Sequence, residues 1–102
     1  MKLFISQPMR DKTDEEIKTE RMKAFYWVAL NYPVGKDEKI EVIESFFEGA
    51  PAEATPLWYL GESIKLLGGA DVVYFCKDWE KYNGCVIEHE CAVRYGKKCV
   101  YA

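Results

Sequence analysis

Four short apolar runs alternate with longer segments of helical or polar patterning, and this alternation predicts four strands joined by three helices. The predicted strands span residues 2–6, 39–45, 71–76 and 98–101. The third run, from Asp71 to Cys76, is almost continuously apolar, which is typical of a strand covered on both faces in a parallel sheet. We therefore expect the third strand to be central.

The first predicted helix spans residues 14–31. Thr13 and Glu16 have the spacing of a capping box, and the acidic residues 14–16 suit the positive end of a helix dipole. Its apolar positions predict a buried stripe formed by Ile17, Met22, Phe25, Val28 and Ala29.

Glycines mark the ends of the two remaining helices. The second helix begins at Leu57, and Gly68-Gly69 is expected to stop it through a glycine in the left-handed conformation. The third helix spans residues 85–95 and is closed by Gly96. The segments 46–56 and 77–84 are predicted loops.

The order βαβαβαβ predicts an α/β fold in which an open parallel sheet lies between two helical layers, as in flavodoxin-like or Rossmann-like domains. We expect a single domain over residues 1–102 with strand order 2-1-3-4. In such sheets ligands bind beyond the carboxyl ends of the strands where the order reverses. This switch point brings the loops 6–12 and 77–84 together.

Composition excludes several classes of partner. The net charge of −3 gives no basic footprint for a nucleic-acid polymer, and no run of about 18 apolar residues predicts a membrane span. Without a secretory signal we expect a cytoplasmic chain whose four cysteines are reduced. Aromatic residues make up 15%, more than so small a core easily hides, so some are expected at a ligand or at the interface of a homo-oligomer, a dimer or larger.

Glu88 is the main candidate for chemistry, because it lies near the start of the third helix and beside the predicted switch point. The helix dipole is expected to keep its carboxylate ionised, as a nucleophile or only as a charge that compensates the dipole. Cys85 with His89 is a weaker nucleophile pair, and Cys76, Cys85, His89 and Cys91 have poor spacing for zinc. Because of this spacing no metal is expected, and because no glycine-rich phosphate loop is present no cofactor is expected.

Three segments resemble the nucleoside 2-deoxyribosyltransferase superfamily, in particular its small bacterial and phage branch. They are Leu3-Phe4-Ile5-Ser6-Gln7-Pro8-Met9-Arg10, Ala70-Asp71-Val72-Val73-Tyr74-Phe75, and Asn83-Gly84-Cys85-Val86-Ile87-Glu88 followed by Ala92 and Gly96-Lys97-Lys98. Through these three pieces the resemblance covers nearly the whole chain. It implies that Glu88 attacks the anomeric carbon of a nucleoside or nucleotide, which makes the chain an N-glycosidase or a 2-deoxyribosyltransferase.

The same resemblance implies which residues bind the substrate. Those expected at the sugar or at a 5′-phosphate are Ser6, Gln7, Pro8, Met9 and Arg10, with Arg10 either pairing with phosphate or neutralising nearby acids. Trp79 and Tyr82 either stack on the base or lie at a subunit contact, in which Trp58 and Tyr59 are also expected to take part. Asn83, Gly84 and Asp78 complete the expected set. Asp78 and Glu80 are candidate general acids by their location alone.

Three positions differ from those enzymes. Ser63 stands where many of them have an aspartate that orients the sugar, and Tyr82 replaces an acidic or hydroxylic contact. Glu90 stands where they have a glycine, two residues after the glutamate. These replacements leave open an alternative function, a non-catalytic module that binds or sequesters a nucleotide.

Overall fold

A computed structural model describes residues 1–32, 38–47 and 49–102; the predicted loop 46–56 thus includes one residue, 48, outside the described part. The elements in chain order are β1 (Lys2–Ser6), α1 (Asp14–Asn31), β2 (Glu41–Val42), α2 (Pro56–Leu67), β3 (Val72–Phe75), a 3-10 turn (Trp79–Lys81), α3 (Asn83–Arg94) and β4 (Lys98–Tyr101).

The four strands form one parallel sheet in the order β2-β1-β3-β4, which confirms the predicted fold class and strand order. Ser6 pairs with Phe75 and Phe75 pairs with Tyr101, so the carboxyl ends of β1, β3 and β4 are level. The sheet and its two helical layers make the three-layer architecture expected from the order of elements.

Alternate residues of the strands build two cores, one on each face of the sheet. On one face Leu3, Ile5 and Tyr74 pack with Ala24 and Val28 of α1. On the other face the core joins the sheet to α2 and α3 and contains Phe4, Val73, Phe75, Leu67 and Ala92. Because successive strand residues point to opposite faces, each position on β1 and β3 is assigned to one layer.

Helix α1 begins with the predicted capping box: the Thr13 side chain accepts from Glu16 N, and the Glu16 side chain accepts from Thr13 N, both at 3.1 Å. The predicted buried stripe is partly wrong. Ile17, Ala24 and Val28 are buried, whereas Met22 and Ala29 are exposed and Phe25 is half-buried. The apolar residues of α1 are distributed on all sides of the helix, so their spacing in the sequence did not identify the face that packs on the core. Met22, Tyr26 and Leu30, spaced four residues apart, form an exposed ridge.

Thr13→Ala is expected to lower the free energy of unfolding by about 1 kcal/mol, because it removes an acceptor for an orphan N–H at the start of α1. Urea denaturation measures the change. Thr19→Ala is the control, since Thr19 lies exposed within the same helix and is expected to leave stability unchanged or slightly higher. Equal losses of unfolding free energy in Thr13→Ala and Thr19→Ala would contradict a capping role for Thr13.

Four elements have boundaries that differ from the prediction, and β3 is one of them, with Val72–Phe75 in place of 71–76. The second strand is Glu41–Val42 and not 39–45: pairing continues only to Ile43 N, which donates to Leu3 O at 2.8 Å, while Arg21 Nη2 donates to Ile43 O at 3.0 Å. The α3 helix begins at Asn83 instead of residue 85, and α2 begins at Pro56, next to its N-cap Thr55.

The two glycine stops also differ from each other. Gly68 is right-handed, with φ −56°, so the predicted left-handed stop of α2 is wrong, and the turn closes through Ala70 N donating to Leu67 O. Gly96 has φ +72°, the left-handed conformation that a glycine adopts without strain, and it follows α3 as predicted.

Candidate functional site

The switch point lies between the carboxyl ends of β1 and β3. Cys76 N, just beyond β3, donates to Ser6 O at 3.0 Å, so the two strands stay paired up to the loops that follow them. The β1 connection then runs to α1 on one face, while β3 leads to α3 on the other. A crevice at this point is where α/β sheets of this kind place ligands.

Glu88 lies at this edge, on the face of α3 that packs against the sheet. Cys85, Glu88 and Ala92 are the buried residues of α3, and their spacing of three and four places them on one side of the helix. The Ser6 hydroxyl donates to Glu88 Oε1 at 2.7 Å, joining residues 82 positions apart. Ser63, on α2, also acts on this carboxyl group and lowers its pKa. Residues of β1 and α2 therefore both influence one side chain of α3.

Burial controls the protonation of Glu88. Its residue exposure is only 7%, and loss of solvation raises its pKa from 4.5 to about 7, although hydrogen bonds from Ser6 and Ser63 act in the opposite direction. The expectation that the helix dipole keeps this carboxylate fully ionised is therefore wrong. A group with a pKa near 7 is present in both protonation states at neutral pH, as acid–base and nucleophilic groups commonly are.

The thiol beside it is a poor nucleophile. Burial raises the pKa of Cys85 to about 11, even though a hydrogen bond with Ser6 lowers it, so almost no thiolate forms at neutral pH. His89, its proposed partner, shares a 2.7 Å hydrogen bond between Nε2 and the Tyr101 hydroxyl and packs at 4.3 Å between ring centroids on Trp79. The geometry favours Glu88 over Cys85.

Among the described residues, no group of three His, Cys, Asp or Glu side chains is arranged to hold a metal ion. All four cysteines are free thiols. The weak zinc hypothesis thus gains no geometric support from residues 76, 85, 89 and 91.

Of the expected substrate-binding loop after β1, Ser6 alone contacts Glu88 through a described hydrogen bond. Gln7 is buried and turns toward α1: its Nε2 donates to Ile17 O at 2.8 Å and to Glu20 Oε1 at 2.9 Å, and its Oε1 accepts from Arg21 Nη1 at 3.3 Å. Gln7 therefore connects the loop to α1. Pro8 is buried, Met9 is half-buried and Arg10 is exposed.

The segment after β3 contributes mostly structural contacts. Asp78 adopts a left-handed conformation and forms a 3.3 Å ion pair with Lys81, while Glu80 is exposed. Trp79 belongs to an aromatic cluster with Phe75, His89 and Tyr101. Neither candidate general acid has a described contact with Glu88.

The first residues of α3 lie closer to the site. Tyr82 is the N-cap residue of α3, and Asn83 and Gly84 are its first two residues. Gly84 precedes Glu88 by four residues, which places both on one face of the helix. A side chain at Gly84 would meet no atom within 4 Å, so there is open space one helical turn before Glu88.

A cavity of about 170 Å³ also opens at the carboxyl end of the sheet, lined by Glu20, Lys23, Tyr74, Cys76 and Lys77, among others. Tyr74 and Cys76 belong to the core on the α1 side. This cavity is therefore on the opposite face from Glu88.

Sequence reasoning missed the role of one residue near Glu88 and the burial of one polar residue elsewhere. Cys85 was considered as a nucleophile or a zinc ligand, but its thiol lies near Ser6 and Glu88 and is buried. Ser45 received no role, although it is a polar residue that ends an apolar run, and the structure buries it. A polar side chain at the carboxyl end of a predicted strand was the available signal.

None of the helices in the described part of the chain combines the length and apolar composition that crossing a lipid bilayer requires. Comparison of the sequence with known protein families, with curated proteins and with solved structures finds no match.

Proposed function

We propose that this chain cleaves or transfers the N-glycosidic bond of a nucleoside or nucleotide, with Glu88 as the nucleophile. The observation that carries the proposal is a buried carboxyl group at the switch point that accepts a hydrogen bond from the Ser6 hydroxyl. The resemblance of three sequence segments to 2-deoxyribosyltransferases supports the same assignment. Neither a cofactor nor a metal takes part in the proposed reaction.

The reaction follows from the chemistry of a carboxylate at an anomeric carbon. A Glu88 oxygen forms a bond to C1′ as the bond from C1′ to the base nitrogen breaks, and the bonding electrons leave with the base. The resulting glycosyl ester is resolved by water, which gives hydrolysis, or by a second base, which gives transfer. Ser6 orients the carboxylate through its hydrogen bond, Ser63 lowers its pKa, and the proposed reaction places the sugar in the open space beside Gly84.

A second candidate function is nucleotide binding without turnover, in keeping with Ser63 and Tyr82 at positions where the enzymes have acidic or hydroxylic groups. The pKa of Glu88 near 7 favours it, because a protonated carboxyl group is neutral and can donate a hydrogen bond to a sugar oxygen. A homo-oligomer in the cytoplasm is part of both proposals. The exposed apolar ridge of Met22, Tyr26 and Leu30 supports self-association.

The test is a panel of ribonucleosides, 2′-deoxynucleosides and their 5′-monophosphates, incubated with the protein in the presence and absence of a second free base. Chromatography measures base release and base exchange. If Glu88 is the nucleophile, kcat/KM is expected to rise with pH to a plateau, because the ionised carboxylate attacks. The midpoint of the rise is expected near the Glu88 pKa of about 7.

The pH dependence also separates the two candidates. A chain that only binds through a protonated Glu88 loses affinity as the pH rises through about 7, and its ligand is recovered intact. If the protein neither binds nor turns over any member of the panel, both candidate functions are rejected.

A further inference from the structure

The cavity of about 170 Å³ on the α1 side of the sheet has no part in the reaction proposed at Glu88. One of its walls comes from α1, through Glu20, Lys23 and Ala24. The facing wall is the end of β3 with the two residues that follow it, and Ala102, just beyond β4, also lines the space. The cavity therefore lies at the carboxyl ends of two parallel strands, where α/β domains bind ligands.

The lining residues that belong to the core are mostly apolar. Ala24 and Cys76 are almost fully buried, and the Tyr74 ring packs edge-on against Trp27, with 5.6 Å between the ring centroids. Burial raises the pKa of the Cys76 thiol to about 12, so this thiol stays neutral at physiological pH. These side chains offer carbon and sulfur atoms to a ligand, and no charge.

The Tyr74 hydroxyl is the polar group among these core residues. Tyr74 is only 7% exposed, and within the part of the chain that the structure describes its hydroxyl has no hydrogen-bond partner. The hydroxyl is also not fully enclosed, because Ser45 Oγ is the one fully enclosed side-chain oxygen or nitrogen that lacks a partner in residues 1–32, 38–47 and 49–102. A ligand in the cavity can therefore use it as a hydrogen-bond donor.

The rim of the cavity has an excess of positive charge. Lys23 and Lys77 are exposed, and neither forms an ion pair with another described residue. The carboxylate on the rim, Glu20, already accepts from Gln7 Nε2 at 2.9 Å and lies 3.5 Å from Lys12 Nζ. With Glu20 engaged in this way, two ammonium groups remain for an anionic ligand.

The volume of the cavity limits the size of that ligand. An apolar cavity of about 150 Å³ holds one benzene molecule. Pockets for drug-sized ligands begin at about 300 Å³. The cavity of about 170 Å³ therefore fits a single ring or a short alkyl chain, and it is too small for a nucleotide.

We propose that this cavity is a second binding site, which takes a small carboxylate with an apolar body. The body contacts Ala24 and the ring of Tyr74. The carboxylate lies between the ammonium groups of Lys23 and Lys77, and it accepts a hydrogen bond from the Tyr74 hydroxyl. This inference is independent of the function proposed for Glu88.

Calorimetry with benzoate tests the proposal, and benzamide is the neutral probe of the same size. Benzoate is expected to bind saturably, with a Kd of about 1 mM or below. Benzamide lacks the charge and inorganic phosphate lacks the apolar body, so each is expected to bind at least about tenfold more weakly. If benzoate does not bind saturably up to its solubility limit, or if either probe binds equally well, the proposal is overturned.

Lys77→Met and Tyr74→Phe test whether benzoate binds in this cavity. Each variant is expected to weaken binding by about 5- to 20-fold, because the first loses an ammonium group and the second loses only a hydroxyl group. Lys98→Met is the matched control, since Lys98 is exposed at the start of β4, at the opposite end of the sheet. Equal weakening in the control would show a general attraction of anions to the protein and would overturn the proposal.

Amide NMR signals separate this site from the one at Glu88. Benzoate is expected to shift the signals of Ala24 and Ala102 and to leave those of Gly84 and Ala92, on α3, unchanged. The opposite pattern would place benzoate on the other face of the sheet and overturn the proposal. A protein that binds benzoate beside Ala24 but binds no nucleoside keeps the cavity site and rejects only the function proposed for Glu88.

Discussion

Replacing Glu88 with glutamine is expected to abolish base release and to stabilise the folded chain at neutral pH. Loss of a covalent nucleophile lowers kcat by on the order of 10⁴-fold or more. Stability changes in the opposite direction, because the buried carboxyl group resists ionisation in the folded state. A pKa that rises from 4.5 to about 7 on folding costs on the order of 3 kcal/mol once the group ionises in both states.

The pH range of this effect follows from the two pKa values. Below about pH 4.5 the carboxyl group is protonated in both states and costs nothing. Between pH 4.5 and 7 the unfolded chain has released the proton and the folded chain still binds it, so the stability of wild type falls as the pH rises. The glutamine variant lacks this titration. The difference in unfolding free energy is therefore expected to be near zero at pH 4 and about 3 kcal/mol at pH 8.

Urea denaturation at the two pH values, beside the base-release assay, measures both effects. Glu90→Gln is the matched control, since Glu90 lies on the same helix but is exposed and paired with Arg94. Its activity is expected to stay within about twofold of wild type, and its stability within about 0.5 kcal/mol. Unchanged turnover in Glu88→Gln would reject the nucleophile; unchanged stability at pH 8 would show that the carboxylate ionises without cost.

Gln7→Met is expected to lower the free energy of unfolding by about 2 to 3 kcal/mol and to leave ligand affinity within about twofold of wild type. Methionine has a similar volume but lacks the amide that donates to Ile17 O and Glu20 and accepts from Arg21. The half-buried Arg21 guanidinium then loses a hydrogen-bond acceptor. This loss is costly because burial already deprives the charged group of solvent, as its lowered pKa indicates.

Chemical denaturation measures the loss, and calorimetry of the folded fraction measures affinity. Lys12→Met is the control: its Nζ also contacts Glu20, at 3.5 Å, but from a partly exposed position, and its loss is expected to cost less than about 1 kcal/mol. A stable Gln7→Met protein that no longer binds ligand would instead indicate that Gln7 binds substrate, as the resemblance implies.

Local chemistry and chirality explain what was predictable about the fold. The capping box at Thr13 depends on residues three apart, and parallel strands joined by right-handed crossovers leave few strand orders. Helical spacing within α3 likewise indicates that Glu88 shares a face with Cys85 and Ala92. Each of these features is specified over a few residues of sequence.

The unpredicted features depend on contacts between distant residues. No residue close to Ile43 in the sequence indicates that Arg21 donates a hydrogen bond to the Ile43 carbonyl, where the pairing of β2 ends. Gln7 has partners that lie 10 to 14 positions away, across a loop, so its role in connecting that loop to α1 was hidden. The pKa of Glu88 was predicted with the wrong sign, because the depth at which α3 buries a side chain is a property of the packed layers.

The two edges of the sheet differ in how much unpaired backbone they expose. The β2 edge consists of two paired residues, and Arg21 covers the next carbonyl. A long edge strand is a template on which another chain can add β structure, and a short strand with an occupied carbonyl limits that addition. The other edge, β4, has four residues and begins with Lys98, whose charge opposes the same addition. Aggregation through strand pairing is therefore restrained at both sides of this small sheet.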